Sequence, residues 1–238
     1  MKKIFLLICI ALSFPTLGQK KYSFDYALVY NEQCKEHQKP FEMIYLINSQ
    51  KSNYKLLAHP KDSTTLTIHF TDADGVSVYG SMQKDDFFKV ETITNDCSQI
   101  FRYRTLAKDQ KQDYKIENCK DTIINDTTYY HYKLFSTKSI KYQKRKKIVT
   151  SHFIVNKKND SNLDFTASSI IFELDPQYNS IPKGIAKTIF FVNTEGEITS
   201  RLELDGILKT NRFLTIPEEC DYTKEEIRNY MPKVTFGR

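Results

Sequence analysis

Five histidines, His37, His59, His69, His131 and His152, are the side chains best suited to metal or proton chemistry. None of them stands two or four residues from another, the spacings that place two imidazoles on one face of a strand or helix. The sequence therefore reads them as scattered surface or strand residues, and it predicts no metal and no cofactor. A site built from them would have to be assembled by tertiary structure. Asp72-Ala73-Asp74-Gly75 begins like a calcium loop, but the glycine comes too early and Gln83 stands where the twelfth-position Glu belongs. It reads as a turn. There is no GxSxG, GxxxxGK[ST] or GxGxxG, and seven glycines supply little for a phosphate-cradling loop. The carboxylate pairs Asp85-Asp86 and Glu218-Glu219 sit in polar context, as solvated loops do. The reading is a non-enzymatic protein.

One charged cluster stands out. Lys138, Lys141, Lys144, Arg145, Lys146 and Lys147 put six cations into ten residues around Ile140 and Tyr142. The run fits an anionic surface such as lipid headgroups or an acidic partner, with Lys141, Lys144, Arg145, Lys146 and Lys147 as contacts. The favoured reading is plainer: a solvated hairpin tip that also guards a strand edge. The whole-chain net charge of +6 is too small for its length to argue for nucleic acid.

The aromatic supply is the other distinctive chemistry: fifteen Tyr, sixteen Phe and no Trp. In Tyr22–Tyr30, the residues Tyr22, Phe24, Tyr26, Leu28 and Tyr30 alternate with smaller ones. As a strand, this segment puts its large side chains on one face. Phe41, Met43, Tyr45 and Ile47 repeat the pattern, while Ile44 and Leu46 make the second strand apolar on both sides. Tyrosines favour places where the ring is dry and the hydroxyl is wet. Tyr22, Phe24, Tyr26, Tyr30, Phe41, Met43 and Tyr45 are thus a candidate lining for an apolar or amphiphilic ligand. A filled β-core with tyrosines at its rim uses the same residues.

Around these residues the chain is organised as a leader and one domain. Lys2 and Lys3 precede the eleven-residue apolar run Ile4–Phe14, and Pro15 and the small residues Thr16 and Gly18 follow. The run is too short to span a bilayer and reads as a signal peptide over 1–18, cleaved before Gln19. Residues 19–238 then form a single exported domain, periplasmic or extracellular. Its four cysteines, Cys34, Cys97, Cys119 and Cys220, allow three pairings. Cys97–Cys119 and Cys34–Cys220 are the favoured pair set, because the first flanks adjacent segments and the second ties the two ends. Free buried thiols are the alternative.

Alternating patterns predict about a dozen short strands. They include 65–71 and 76–79 around the 72–75 turn, 87–94, 98–104, 127–135, 148–156, and a hairpin of 186–193 with 198–208 closed by Thr194-Glu195-Gly196-Glu197. The basic run lies between strands, and 163–174 reads as extended. The one convincing helix begins at the capping box Thr223-Lys224-Glu225-Glu226 and ends at Pro232. Parallel strands need crossover helices, which are missing, so the fold class is mainly β. It is a large curled antiparallel sheet, half-barrel or sandwich, with one short C-terminal helix.

The leader ending before Gln19, the strand Phe24-Asp25-Tyr26, the segment Ile44-Tyr45-Leu46-Ile47-Asn48-Ser49 and Ile181-Pro182-Lys183-Gly184-Ile185 resemble small exported proteins of Bacteroidetes. In layout the chain is similar to the LolA/LolB-type half-barrel, in which an antiparallel sheet curls around a lipid-binding cavity. The glycine–proline–glycine signature of the GLPGLI group is missing, with only Pro182-Lys183-Gly184 near that place. The resemblance implies a lipid-like ligand on the aromatic-lined concave sheet and carries over no individual residue. The alternative is a cell-envelope scaffold or interaction module acting through a sheet edge or the basic run at 138–147.

Overall fold

The computed structural model describes residues 20–35, 40–102, 113–156, 184–217 and 219–220. Thirteen strands fill most of them: β1 Lys20–Cys34, β2 Phe41–Ile47, β3 Tyr54–Pro60, β4 Thr65–Asp72, β5 Val76–Gln83, β6 Thr92–Thr94, β7 Ile100–Arg102, β8 Tyr114–Asn118, β9 Thr122–Ile124, β10 Thr127–Ser136, β11 Thr150–Asn156, β12 Ala186–Val192 and β13 Ile198–Ile216. They join into one sheet in the order β7-β5-β4-β3-β2-β1-β13-β12-β11-β10-β8, with β6 on β13 and β9 on β10. Every pairing is antiparallel except β6 with β13. The predicted fold class holds: a large, unclosed antiparallel sheet. The C-terminal helix and the 163–174 segment lie outside the described residues, as does the leader.

The two longest strands, β1 and β13, pair along the middle of the sheet. Their register slips between Phe24 and Tyr26 and again between Val29 and Tyr30. A slip of one residue turns a side-chain row to the other face. The expectation of one aromatic face is corrected accordingly. Tyr22, Phe24 and Ala27 belong to a first core with Tyr54, Leu56, Ile68 and Phe70. Leu28 and Tyr30 belong to a second core with Met43, Tyr45, Tyr132 and Phe153, and Tyr26 packs against it. The two cores lie on opposite faces, because β2 sends Ile44 and Leu46 to the first and Met43, Tyr45 and Ile47 to the second.

Local hydrogen bonds hold the change of phase. β2 begins to pair with β1 only at Tyr26. Before that point the Ser23 carbonyl accepts from Asn48 Nδ2 at 3.0 Å and from the Tyr54 hydroxyl at 2.9 Å. Asp25 accepts from the Ser49 amide at 2.8 Å and from its hydroxyl. The turn after β2 thus grips β1 where its rings change sides.

The first core is completed by α1, Lys84–Lys89, through Phe87, and by Ile93, Ile100 and Cys220. This corrects the strand expected over 87–94. Asp85 and Asp86 sit in the first turn and Lys89 in the last, which suits the helix dipole. The basic run is also not a hairpin. Ser139 caps α2, Ile140–Lys146, by accepting from the Tyr142 amide at 3.4 Å, and Lys147 ends it in the left-handed region at φ 52. The two turns read from sequence are present. Asp72 Oδ1 accepts from the Val76 amide at 2.8 Å, with Gly75 at φ 89. Asn193 Oδ1 accepts from the Glu195 and Glu197 amides at 3.0 and 2.9 Å, with Gly196 at φ 85.

Cys97 and Cys220 form a disulfide, while Cys34 and Cys119 are free. This corrects both favoured pairings. Cys220 follows β13, and β13 carries β6 on its far edge, so Cys220 lies beside the Asp96–Gln99 turn rather than beside β1's end. Cys119 is kept away from Cys97 by its place beyond β8, at the opposite margin of the sheet from β7.

Candidate functional site

The predicted lining residues are mostly core. Tyr22, Phe24, Tyr30, Met43 and Tyr45 are buried, and Tyr26 and Phe41 are half-buried at the margin of the second core. Tyr22 contacts Phe70 with ring centroids 4.4 Å apart, and Tyr30 meets Tyr45 edge-on at 5.8 Å. The hydroxyls are satisfied internally. Tyr22 donates to Asp72 at 2.5 Å, and Tyr30 donates to the Ala186 carbonyl at 2.7 Å. Burial drives the Tyr30 and Tyr45 hydroxyls well above the ordinary phenol range. The structure therefore distributes these seven residues over two faces and does not gather them into one groove.

Of the cations in the basic run, Lys138 pairs with Asp113 at 2.7 Å and Lys144 with Glu195 at 3.0 Å. Lys141, Arg145, Lys146 and Lys147 are exposed, and Arg145 lies over the Tyr142 ring at 5.4 Å. The last turn of α2 concentrates Lys144, Arg145 and Lys146, where the helix dipole favours positive charge.

Two other features are assembled only by the fold. The first is the middle of β13. β12 covers it up to Glu203, and β6 takes over at Phe213. Between them, residues 204–212 pair with β1 alone among the described strands. Ile207 is 45% exposed and Leu208 is 58% exposed, on the strand that otherwise carries the sheet's centre. Leu28 stands opposite Ile207 and Ala27 opposite Leu208, so each face of this stretch adjoins one of the two cores.

The second is a Cys–His–His group. β10 carries His131 and Lys133 two residues apart, on the face opposite buried Tyr132 and Leu134. Lys133 stands opposite His152 of β11, so His152 is diagonal to His131. Tyr132 stands opposite Asn118 at the end of β8, which places Cys119 beside His131, and the Cys119 amide donates to the His131 carbonyl at 2.8 Å. One donor atom from each of Cys119, His131 and His152 lies within 4.8 Å of the others. His131 Nε2 and His152 Nδ1 are 2.9 Å apart. His152 stacks on Phe190 of β12, with centroids at 4.5 Å and planes 7° apart.

Electrostatics around this group favour uncharged forms. Desolvation, with help from Lys133, lowers the His131 pKa, and a hydrogen bond to the Lys120 main chain opposes it. Desolvation, His131 and Lys133 bring His152 down to about 4. Burial raises the Cys119 thiol. Lys133 is itself tied to Glu117 at 2.9 Å. Both imidazoles are therefore neutral at pH 7, with lone pairs for a ligand or a shared proton. No sequence spacing announces this group, since its members come from three segments and meet through strand register alone.

No family model and no curated protein sequence matches the chain. Solved structures do resemble it. The Pseudomonas aeruginosa MucA/MucB complex is 7% identical, with a TM-score of 0.39 over 78% of this chain; the chain spans about half the length of that neighbour, 51%. A Vibrio parahaemolyticus domain described as an outer membrane lipoprotein-sorting protein is 10% identical, with a TM-score of 0.33 over 87% of this chain and 91% of its own. A LolA superfamily protein from Nitrosomonas europaea is 12% identical, with a TM-score of 0.27 over 82% and 86%. Among the described residues no helix is long and apolar enough to cross a membrane.

Proposed function

We propose that the protein is an exported, non-catalytic binding protein that receives an extended apolar segment of a partner polypeptide along residues 204–212 of β13. Export rests on the leader read from Lys2 to Gly18, and the absence of a catalytic motif supports a binding role. The observation that carries the reading is this stretch at the centre of the sheet, which pairs with no second strand among the described residues. It pairs with one described strand, β1, with the Leu204 carbonyl also accepting from Lys187 Nζ at 2.7 Å, and Ile207 and Leu208 offer apolar anchors on its two faces. Strand addition uses these two features: main-chain hydrogen bonds for affinity and alternate side chains for specificity. The aromatic row, being buried, favours this reading over an open ligand groove.

A photo-crosslinking residue placed at 207 or 208 in the exporting host is expected to capture a polypeptide. The captured segment, added as a synthetic peptide, is expected to slow amide exchange over 204–212. Crosslinking to lipid alone would return the apolar-ligand reading, and no crosslink from either position would remove this stretch as an interface. Exposed Ile123, at the β9 margin, is the control position.

A further inference from the structure

We propose that Cys119, His131 and His152 form a binding site for one late first-row transition-metal ion that accepts imidazole and thiolate donors, with zinc and copper as the matching metals. The donor set is the argument's first support. Two imidazoles and one sulfur are borderline-to-soft ligands, and among the described residues no carboxylate belongs to the group to favour calcium or magnesium.

Geometry is the second support. Zinc–nitrogen bonds of about 2.0–2.1 Å and zinc–sulfur bonds of about 2.3 Å, arranged tetrahedrally, put two nitrogens about 3.3 Å apart and nitrogen and sulfur about 3.5 Å apart. The two nitrogens here are 2.9 Å apart, and all three donors lie within 4.8 Å. Closing on an ion thus asks for a slight separation of the two rings and a small swing of the Cys119 side chain. None of this needs a change in strand register.

The third support is how the ligands are held. Metal-binding histidines are oriented by a hydrogen bond from the other ring nitrogen and by packing around the ring. His131 is hydrogen-bonded to the Lys120 main chain, and His152 is stacked on Phe190. The opposing element is Lys133, a cation on the same face, and its ammonium is held by Glu117 at 2.9 Å. Three ligands from the described residues leave a fourth position to water or to another donor. Such a site exchanges its ion more readily than a closed four-ligand one.

The experiment uses the exported chain with Cys97–Cys220 intact and Cys119 verified as a free thiol by labelling. Cobalt(II) is the spectroscopic probe, and zinc(II) and copper(I) compete with it. One equivalent of cobalt is expected to give a sulfur-to-cobalt charge-transfer band together with strong visible absorption from a tetrahedral centre. Cys119→Ser is expected to abolish the charge-transfer band. His131→Ala and His152→Ala are each expected to weaken zinc binding by roughly tenfold or more, judged against what loss of a supporting group alone costs. His69→Ala, whose side chain lies outside the group, leaves binding unchanged and keeps the result specific. Circular dichroism of each variant separates loss of ligand from loss of fold. Absence of the band in the folded, reduced protein, or equal affinity in all variants, would overturn the site. Neither outcome bears on partner binding at β13.

Discussion

Cys97 and Cys220 are bonded across 123 residues of sequence, and the loop they close holds β7 to β13. The bond joins the Asp96–Gln99 turn to the chain just after β13 and sits against the first core through Cys220. A loop of this length restricts the unfolded chain strongly, so replacing both cysteines with serine is expected to cost about 2–5 kcal/mol. Urea denaturation measures it. Cys34→Ser and Cys119→Ser are expected to stay within about 0.5 kcal/mol of the parent, since both are free and only partly buried. Peptide mapping under non-reducing conditions should recover Cys97 linked to Cys220; a Cys34 linkage would sink the assignment.

Tyr30 is the pivot of the second core. Its ring is fully buried, and its hydroxyl donates to the Ala186 carbonyl at 2.7 Å, tying β1 to the start of β12. Tyr30→Phe keeps the ring and leaves that carbonyl without this donor, an expected loss of about 1–3 kcal/mol. Tyr30→Ala adds a cavity and should cost about 3–5 kcal/mol. Tyr79→Phe, at a ring 43% exposed, should be nearly silent. A silent Tyr30→Phe would mean that the hydroxyl bond contributes nothing measurable.

Much of this architecture was legible in the chain. Alternation located β1, β2, β4, β5, β10 and β12, and the turn residues at 72–75 and 194–197 fixed two hairpins, because period and turn chemistry are local. The division of Tyr22–Tyr30 between two cores was not legible. It depends on slips against β13, nearly two hundred residues away, and on the grip of Asn48 and Ser49. Phe87 and Phe88 read as strand residues because aromatics suit strands, while the Asp85–Lys89 pair that favours a helix turn is a weaker signal. Cys119, His131 and His152 share no local pattern, and only the β8–β10–β11 ladder unites them.

Stability should follow a dome in pH whose sides come from different groups. Burial lowers His69 to about 4 and also lowers His59, His131 and His152. Between about pH 4 and 6.5 the unfolded chain therefore holds more protons than the folded one, and stability falls as the pH drops through that window. Burial brings Lys55 to about 7, so from about pH 7 to 10.5 the unfolded chain again binds the extra proton and stability rises with pH. Raised Tyr30 and Tyr45 reverse the sign above about pH 10, because there the folded chain keeps protons that the unfolded one releases. Maximum stability is expected at about pH 9–10. Urea midpoints across the range would test this, with His69→Gln flattening the acid side. A flat profile from pH 7 to 9 would contradict the buried setting of Lys55.

The end of α2 presents its cations to solvent. Lys141, Arg145, Lys146 and Lys147 are exposed, whereas Lys138 and Lys144 are tied to Asp113 and Glu195. A cation near an anionic membrane surface contributes about 1 kcal/mol, and the effect decays within a Debye length. The parent chain is expected to sediment with vesicles containing anionic lipid at low ionic strength. Changing Arg145, Lys146 and Lys147 to Gln should weaken that association by roughly a hundredfold, from three such contributions. The same changes should cost the fold no more than about 1–2 kcal/mol, because the helix end loses favourable dipole contacts and the Arg145 contact with the Tyr142 ring. Unchanged sedimentation of the variant would assign these cations to capping α2 and to nothing beyond it.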